Sequence, residues 1–249
     1  MPRETVPATK VLALDTSTRS GSLALLEGEK LVAELGLLSS DNHAERLLGG
    51  IDYLLSGAGW RLEQCGLIAV GIGPGSFTGI RIGVSTALGL AQTVGCPLSA
   101  VSGLDALAHA IATLVEGLAP RGLSPPIGIV MDASRGQVYH CEYRVRAGRL
   151  RKARKPSLQS PGELGAGFGG RRLVLAGDGA ARYSQELGIS RSGVRRLIPF
   201  DLFLAAAIGR LALARKRSWL DGEYLKAEPL YIRPPDAIAK LGSKRGSAG

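Results

Sequence analysis

Residues 12–25 read LALDTSTRSGSLAL, and residues 128–141 read GIVMDASRGQVYHC. Each is an apolar run of strand length, an aspartate, a small polar turn holding Arg and Gly, and a returning strand. A second pair of segments repeats further on. AVGIGPGS (69–76) and VLAGDGAA (174–181) each carry an apolar strand through a glycine-rich turn into a helix start. Two copies of a βββαβα unit account for both coincidences. The pattern predicts an α/β chain of two related lobes. Pro120, Pro125 and Pro126 mark the connector between them. The first lobe is placed at residues 1–118, the second at 119–235, and a frayed tail at 236–249.

Outward from these stretches the periods alternate. Strands are expected at 22–27, 29–38, 67–72 and 97–101, and in the second half at 127–132 and 137–145. In SDNHAERLLGGIDYLLSGAGW (40–60) the apolar residues fall in steps of three and four, which predicts an amphipathic helix capped by Ser40 or Asp41. Further helices are expected at 80–94, 103–115 and 200–217. Gly49 and Gly50 cost the first helix about 1 kcal/mol each relative to Ala. They also make its surface a candidate for close approach by another helix.

The chain has 249 residues, 45% hydrophobic and 21% charged, with 35 glycines and no Gly-X-Y period. Disorder over most of the chain and a collagen helix are excluded. Residues 1–125 hold 8 basic and 11 acidic side chains, net −3, and residues 126–249 hold 23 and 10, net +13. The basic second half suits either a polyanion partner or a solvated surface. Its densest part is RVRAGRLRKARK (144–155). No aromatics interleave there, so stacking on unpaired bases is not indicated. Cys65, Cys96 and Cys141 have neither metal-ligand nor disulfide-framework spacing. No run approaches about 20 apolar residues, and a cytoplasmic chain is expected.

Two loops carry the candidate chemistry. Asp15-Thr16-Ser17-Thr18 ends a strand. Its hydroxyls and amides suit either a phosphate cradle, with the carboxylate holding magnesium through water, or a hairpin turn that satisfies itself. Gly73-Pro74-Gly75-Ser76-Phe77-Thr78-Gly79 joins a buried strand to a helix, without the GK[ST] of a Walker loop. Arg81 follows in the first helical turn, against the helix dipole, which suggests an anionic partner. His43, His109 and His140 have no metal-site or triad spacing and read as structural.

LALDTST, NHAERLL and IDYLL, GIGPGSFTGIRIGVSTALGLA, VSGLDALA, DASRGQVY, GDG and PLYIR occur in that order. Together they resemble the TsaB (YeaZ) family of bacteria. The resemblance implies the actin-like, sugar-kinase and heat-shock-chaperone ATPase fold. It implies a subunit without catalysis of its own in threonylcarbamoylation of the tRNA adenosine beside the anticodon. The partners implied are TsaD, which carries the metal and transfers the group, and the ATPase TsaE, with a homodimer when TsaD is missing. TsaD's HxxxH metal motif falls here on Gly103 and Leu107, which cannot ligate. His43, Leu47, Leu48, Ile51, Leu54 and Leu55 are then expected to include the partner face. No cofactor of its own is implied, and Asp15, Thr16, Ser17, Thr18 and Asp178 are the candidates for a weakly held ATP or ADP. A stand-alone nucleotide-binding or ATP-hydrolysing protein is the alternative. Contact of the basic second lobe with tRNA is left open. No nucleophile pattern supports a protease.

Overall fold

The computed structural model describes residues 8–18, 20–38, 43–118, 125–146, 149–189, 195–198, 203–215, 230 and 232. The first sheet is built from β1 (Lys10–Asp15), β2 (Ser20–Glu27), β3 (Lys30–Leu38), β4 (Leu67–Gly71) and β5 (Leu98–Val101), in the order β3-β2-β1-β4-β5. β1, β2 and β3 are antiparallel neighbours, while β4 and β5 join in parallel through helices. Those helices are α1 (His43–Gly57) and α2 (Phe77–Val94), and α3 (Gly103–Leu118) follows β5.

The second half repeats this. β6 (Ile127–Asp132), β7 (Val138–Arg146), β8 (Arg149–Lys152), β10 (Leu173–Ala176) and β11 (Arg195–Ile198) form a sheet in the order β11-β10-β6-β7-β8, with β9 (Ser157–Gln159) also paired to β7. Its helices are α4 (Pro161–Phe168), α5 (Asp178–Arg182) and α6 (Ala205–Ala214). The expected duplication is present; among the described residues the first copy is one strand and one helix longer than the βββαβα unit, and the second adds β9 as well. This is the actin-like, sugar-kinase and heat-shock-chaperone ATPase architecture.

The final helices are exchanged between the halves. α3 packs on β6, β7 and β8, and α6 packs on β1, β2 and β4. Alternation along the strands explains why. Val11, Ala13, Ala24 and Leu26 face one side of the first sheet, and Leu12, Leu14, Leu23 and Leu25 face the other. The first set joins α3, α6 and the second sheet's Ile127, Ile129, Cys141 and Tyr143 in one core. The second set is covered by α1 and α2. Gly209 lets α6 lie close to the first sheet, because a Cβ there would meet Leu26 and Ala13. The Ala205 N–H at the start of α6 donates to the Ser22 hydroxyl at 3.1 Å.

Boundaries differ from expectation where polar groups decide them. α2 starts at Phe77 rather than 80, because the Ser76 hydroxyl accepts from the Gly79 N–H at 3.2 Å and caps the helix. The expected caps Ser40 and Asp41 lie outside the described residues, as do the expected tail and most of PLYIR. The Leu230 N–H of that segment donates to the Ile72 carbonyl at 2.9 Å. Cys65, Cys96 and Cys141 are free. No helix among the described residues is long and apolar enough to cross a membrane.

Candidate functional site

The two candidate loops are locked onto each other at the carboxyl ends of β1 and β4. The Ser76 N–H donates to the Ser17 carbonyl and the Thr16 hydroxyl donates to the Gly79 carbonyl, both at 2.7 Å. The Ser17 N–H closes a turn on the Asp15 carboxylate at 3.1 Å. The Gly103 N–H donates to the Gly73 carbonyl at 2.8 Å, tying in the start of α3. Glycine is required by proximity: a Cβ at Gly75 would strike the Ser17 carbonyl, and one at Gly79 the Thr16 carbonyl. Gly73 itself sits at φ 85°, and the Gly73–Pro74 bond is cis.

This packing bears on the phosphate-cradle reading. Asp15, Thr16 and Ser17 are buried. Ser76 takes the Ser17 carbonyl, and the Gly75 backbone lies against it. These bonds engage the Ser17 carbonyl and N–H and the Thr16 hydroxyl within the chain. The Ser17 and Thr18 hydroxyls find no hydrogen-bond partner among the described residues. Asp178 belongs to the other half. Its Oδ1 accepts from the Asp132 and Gly179 N–H groups, each at 2.9 Å, and so joins β6 to α5.

Arg81 has an internal partner. Its guanidinium lies 3.9 Å over the centre of the Phe77 ring. That contact gives the cation a partner within the first turn of its own helix.

The expected partner face needs a larger correction. Leu47, Ile51, Leu54 and Leu55 are buried against the first sheet within this one chain. A stripe at helical spacing covers whatever lies closest, and here that is β2 and β3. Gly50 serves the same packing, since a Cβ there would press on Leu23 and Leu35. Leu48, from the expected set, points away and is 54% exposed. The side chain of His43 lies outside the described ones. Tyr53, 72% exposed, was missed because it falls off the stripe, and Phe77, 38% exposed and expected in the glycine loop, opens α2. Gly49 and Gly89 have open space where a Cβ would stand. α1 and α2 pack side by side, so their outer surfaces form one face with Leu48, Tyr53 and Phe77 as apolar points.

Of the two positions that align with TsaD's HxxxH motif, Gly103 starts α3 and Leu107 is buried between the lobes.

Comparison with known proteins follows the same lines. Residues 37–214 match the family model described as TsaD, tRNA N6-adenosine threonylcarbamoyltransferase. The tRNA threonylcarbamoyladenosine biosynthesis protein TsaB of Haemophilus influenzae is 30% identical over 240 residues, 93% of this chain and 96% of that protein. The protein of the same name from Bacillus subtilis is 38% identical over 140 residues, and that stretch spans about half of its length, 57%. The solved structure of YeaZ from Pseudomonas aeruginosa superposes with a TM-score of 0.71 at 31% identity, covering 90% of this chain and 99% of that one. With the duplicated topology and the loop pair Asp15–Thr18 and Gly73–Gly79 in place, the chain belongs to the TsaB (YeaZ) family.

Proposed function

We propose that this chain acts in tRNA threonylcarbamoyladenosine biosynthesis as a scaffold subunit that pairs with TsaD, with TsaE joining the pair. The observation that carries the reading is the outer face of α1 and α2. Three large apolar side chains, Leu48, Tyr53 and Phe77, stand exposed on two adjacent helices. The open positions Gly49 and Gly89 let a partner helix come close. The reading gives the chain no cofactor or catalysis of its own, which is supported by Gly103 and Leu107 at the HxxxH positions. The same face is proposed to pair two copies of the chain when TsaD is missing, with the cytoplasm as the compartment.

The test is light scattering after size exclusion, on this chain mixed with TsaD from the same organism. A one-to-one complex formed at the expense of any homodimer is expected, and Leu48→Glu with Tyr53→Glu should abolish it. Two unshifted peaks, with nucleotide and TsaE present, overturn the reading. The alternative of a stand-alone nucleotide-binding protein rests on the unpartnered Ser17 and Thr18 hydroxyls. Magnesium-dependent ATP turnover that Asp15→Ala abolishes would support it.

A further inference from the structure

We propose that the β7–β8 hairpin is a docking surface for the phosphate backbone of folded RNA. The proposal rests on the tRNA role above and names the part of this chain that meets the RNA. The register pairs Arg144 with Arg151 and Arg146 with Arg149. Side chains alternate across a strand, and directly paired residues share a face. All four arginines therefore stand on one face of the hairpin, and all four are exposed. Val145 and Leu150 stand on the other face, packed against the core between the lobes.

Like charges directly opposite each other destabilise an antiparallel pair. Two such pairs follow in succession here. Among the described residues none of the four arginines has an acidic partner. The nearest acid on that face of β7, Glu142, is already engaged. Arg171 holds it through two bonds of 3.0 and 2.6 Å, and Arg154 lies 3.7 Å away. Val145 and Leu150 anchor the hairpin without help from the arginines, so the fold has no use for this repulsion. An external polyanion relieves it.

The chemistry favours phosphate on a duplex. Guanidinium forks bind phosphate oxygens in pairs. The four are set in a rectangle about 5 Å across the strands and about 7 Å along them. Among the described residues the rings nearest on that face, His140 and Phe168, are buried, so bases have no exposed ring there to stack on. An A-form stem keeps side chains out of its deep major groove and offers phosphates instead. The site is thus expected to be indifferent to sequence and sensitive to salt.

The experiment is fluorescence anisotropy of a labelled, unmodified tRNA transcript titrated with the full chain, and with its mixture with TsaD, over a salt series. Neutralising about four phosphates of a duplex gives a slope of log affinity on log salt of about −3.6. Arg144→Glu with Arg151→Glu should weaken binding by more than about tenfold and flatten the slope by about two. Arg144→Lys with Arg151→Lys should keep most of the affinity. Thermal melts check that these exposed substitutions leave the fold intact. Unchanged tRNA binding by the charge-reversed chain and by its TsaD mixture overturns the proposal. So does binding of the wild-type chain to phosphatidylserine vesicles with none to tRNA in either form. Complex formation by the charge-reversed chain separates the two readings. An intact complex with unchanged tRNA binding sinks the hairpin alone, whereas no complex with wild-type chain sinks the scaffold.

Discussion

The hydroxyl of Tyr143 donates to Oδ1 of Asp105 at 2.6 Å, joining β7 of the second lobe to α3 of the first half. Lys152 reaches the same carboxylate at 2.9 Å, and Arg215, just past α6, lies 3.7 Å from it. Asp105 thus gathers a strand pair and both exchanged helices. Burial, with the Asp105 charge and hydrogen bond, pushes the Tyr143 hydroxyl pKa far up, so it stays a donor at all working pH. Tyr143→Phe should cost about 1.5–3 kcal/mol, the range for a hydrogen bond to a charged group. Asp105→Ala should cost more, because it leaves a buried hydroxyl unpaired. Urea unfolding curves of the two variants measure both.

The outer and inner faces of α1 should respond oppositely to charge. Ile51→Glu places a carboxylate in the core and should unfold the isolated chain. Leu48→Glu should change stability by no more than about 0.5 kcal/mol, as surface substitutions do. Circular dichroism of the pair reads this directly. If Ile51→Glu folds and only pairing is lost, that side chain belongs to the partner face after all.

Acid should weaken the second lobe first. His140 is buried, edge-on to Phe168 with ring centres 5.5 Å apart, and its Nε2 has no partner among the described residues. Burial pushes its pKa down to about 4. Because the unfolded imidazole binds its proton more tightly, this contribution is whole above about pH 6.5. It is lost as the pH falls towards 4, in total about 3 kcal/mol. Burial pushes the Glu142 carboxyl up, but the Arg171 hydrogen bonds and the Arg171 and Arg154 charges outweigh it, and its pKa lies below the ordinary value. That contribution is present above the ordinary carboxylate range and disappears below it. Unfolding free energies measured from pH 7 to pH 5 should fall for the wild-type chain and stay flatter for His140→Leu.

Two glycines of one helical region should give opposite signs. Gly75→Ala collides with the Ser17 carbonyl and should destabilise by more than about 2 kcal/mol, since backbone has little room to give. Gly89→Ala meets open space in α2 and should stabilise by up to about 1 kcal/mol. Thermal melts decide both. Gly89→Ala should also weaken pairing with TsaD if a partner helix uses that opening.

The strand–turn–strand repeats and the stripe on α1 were legible because local period and turn chemistry survive in every structure built from them. Partnership was not. Periodicity tells which face of α1 is buried and says nothing about what covers it; the docking surface expected at Leu47 and Ile51 came from the family resemblance, not from the pattern. The useful signal was the off-stripe pair Leu48 and Tyr53. The docking of Gly75 and Gly79 onto Thr16 and Ser17 joins residues about sixty apart, and no local pattern encodes that. Two misses had readable signals. Ser160-Pro161-Gly162-Glu163 is a capping box with proline in the first turn of α4. Arg144-Val145-Arg146 and Arg149-Leu150-Arg151 alternate with period two, which the density of charge obscured.

The exchange of α3 and α6 also sets a schedule on the ribosome. The first sheet is fully synthesised by Val101, yet α6, which covers the face carrying Val11, Ala13, Ala24 and Leu26, begins only at Ala205. At about 5–20 residues per second the nascent chain keeps that apolar face uncovered for roughly 5–20 s. The second half, by contrast, emerges with its own covering helix already made. A terminator placed anywhere before α6 therefore releases a protein with one lobe bare, its apolar sheet face left to meet whatever apolar surface is nearby.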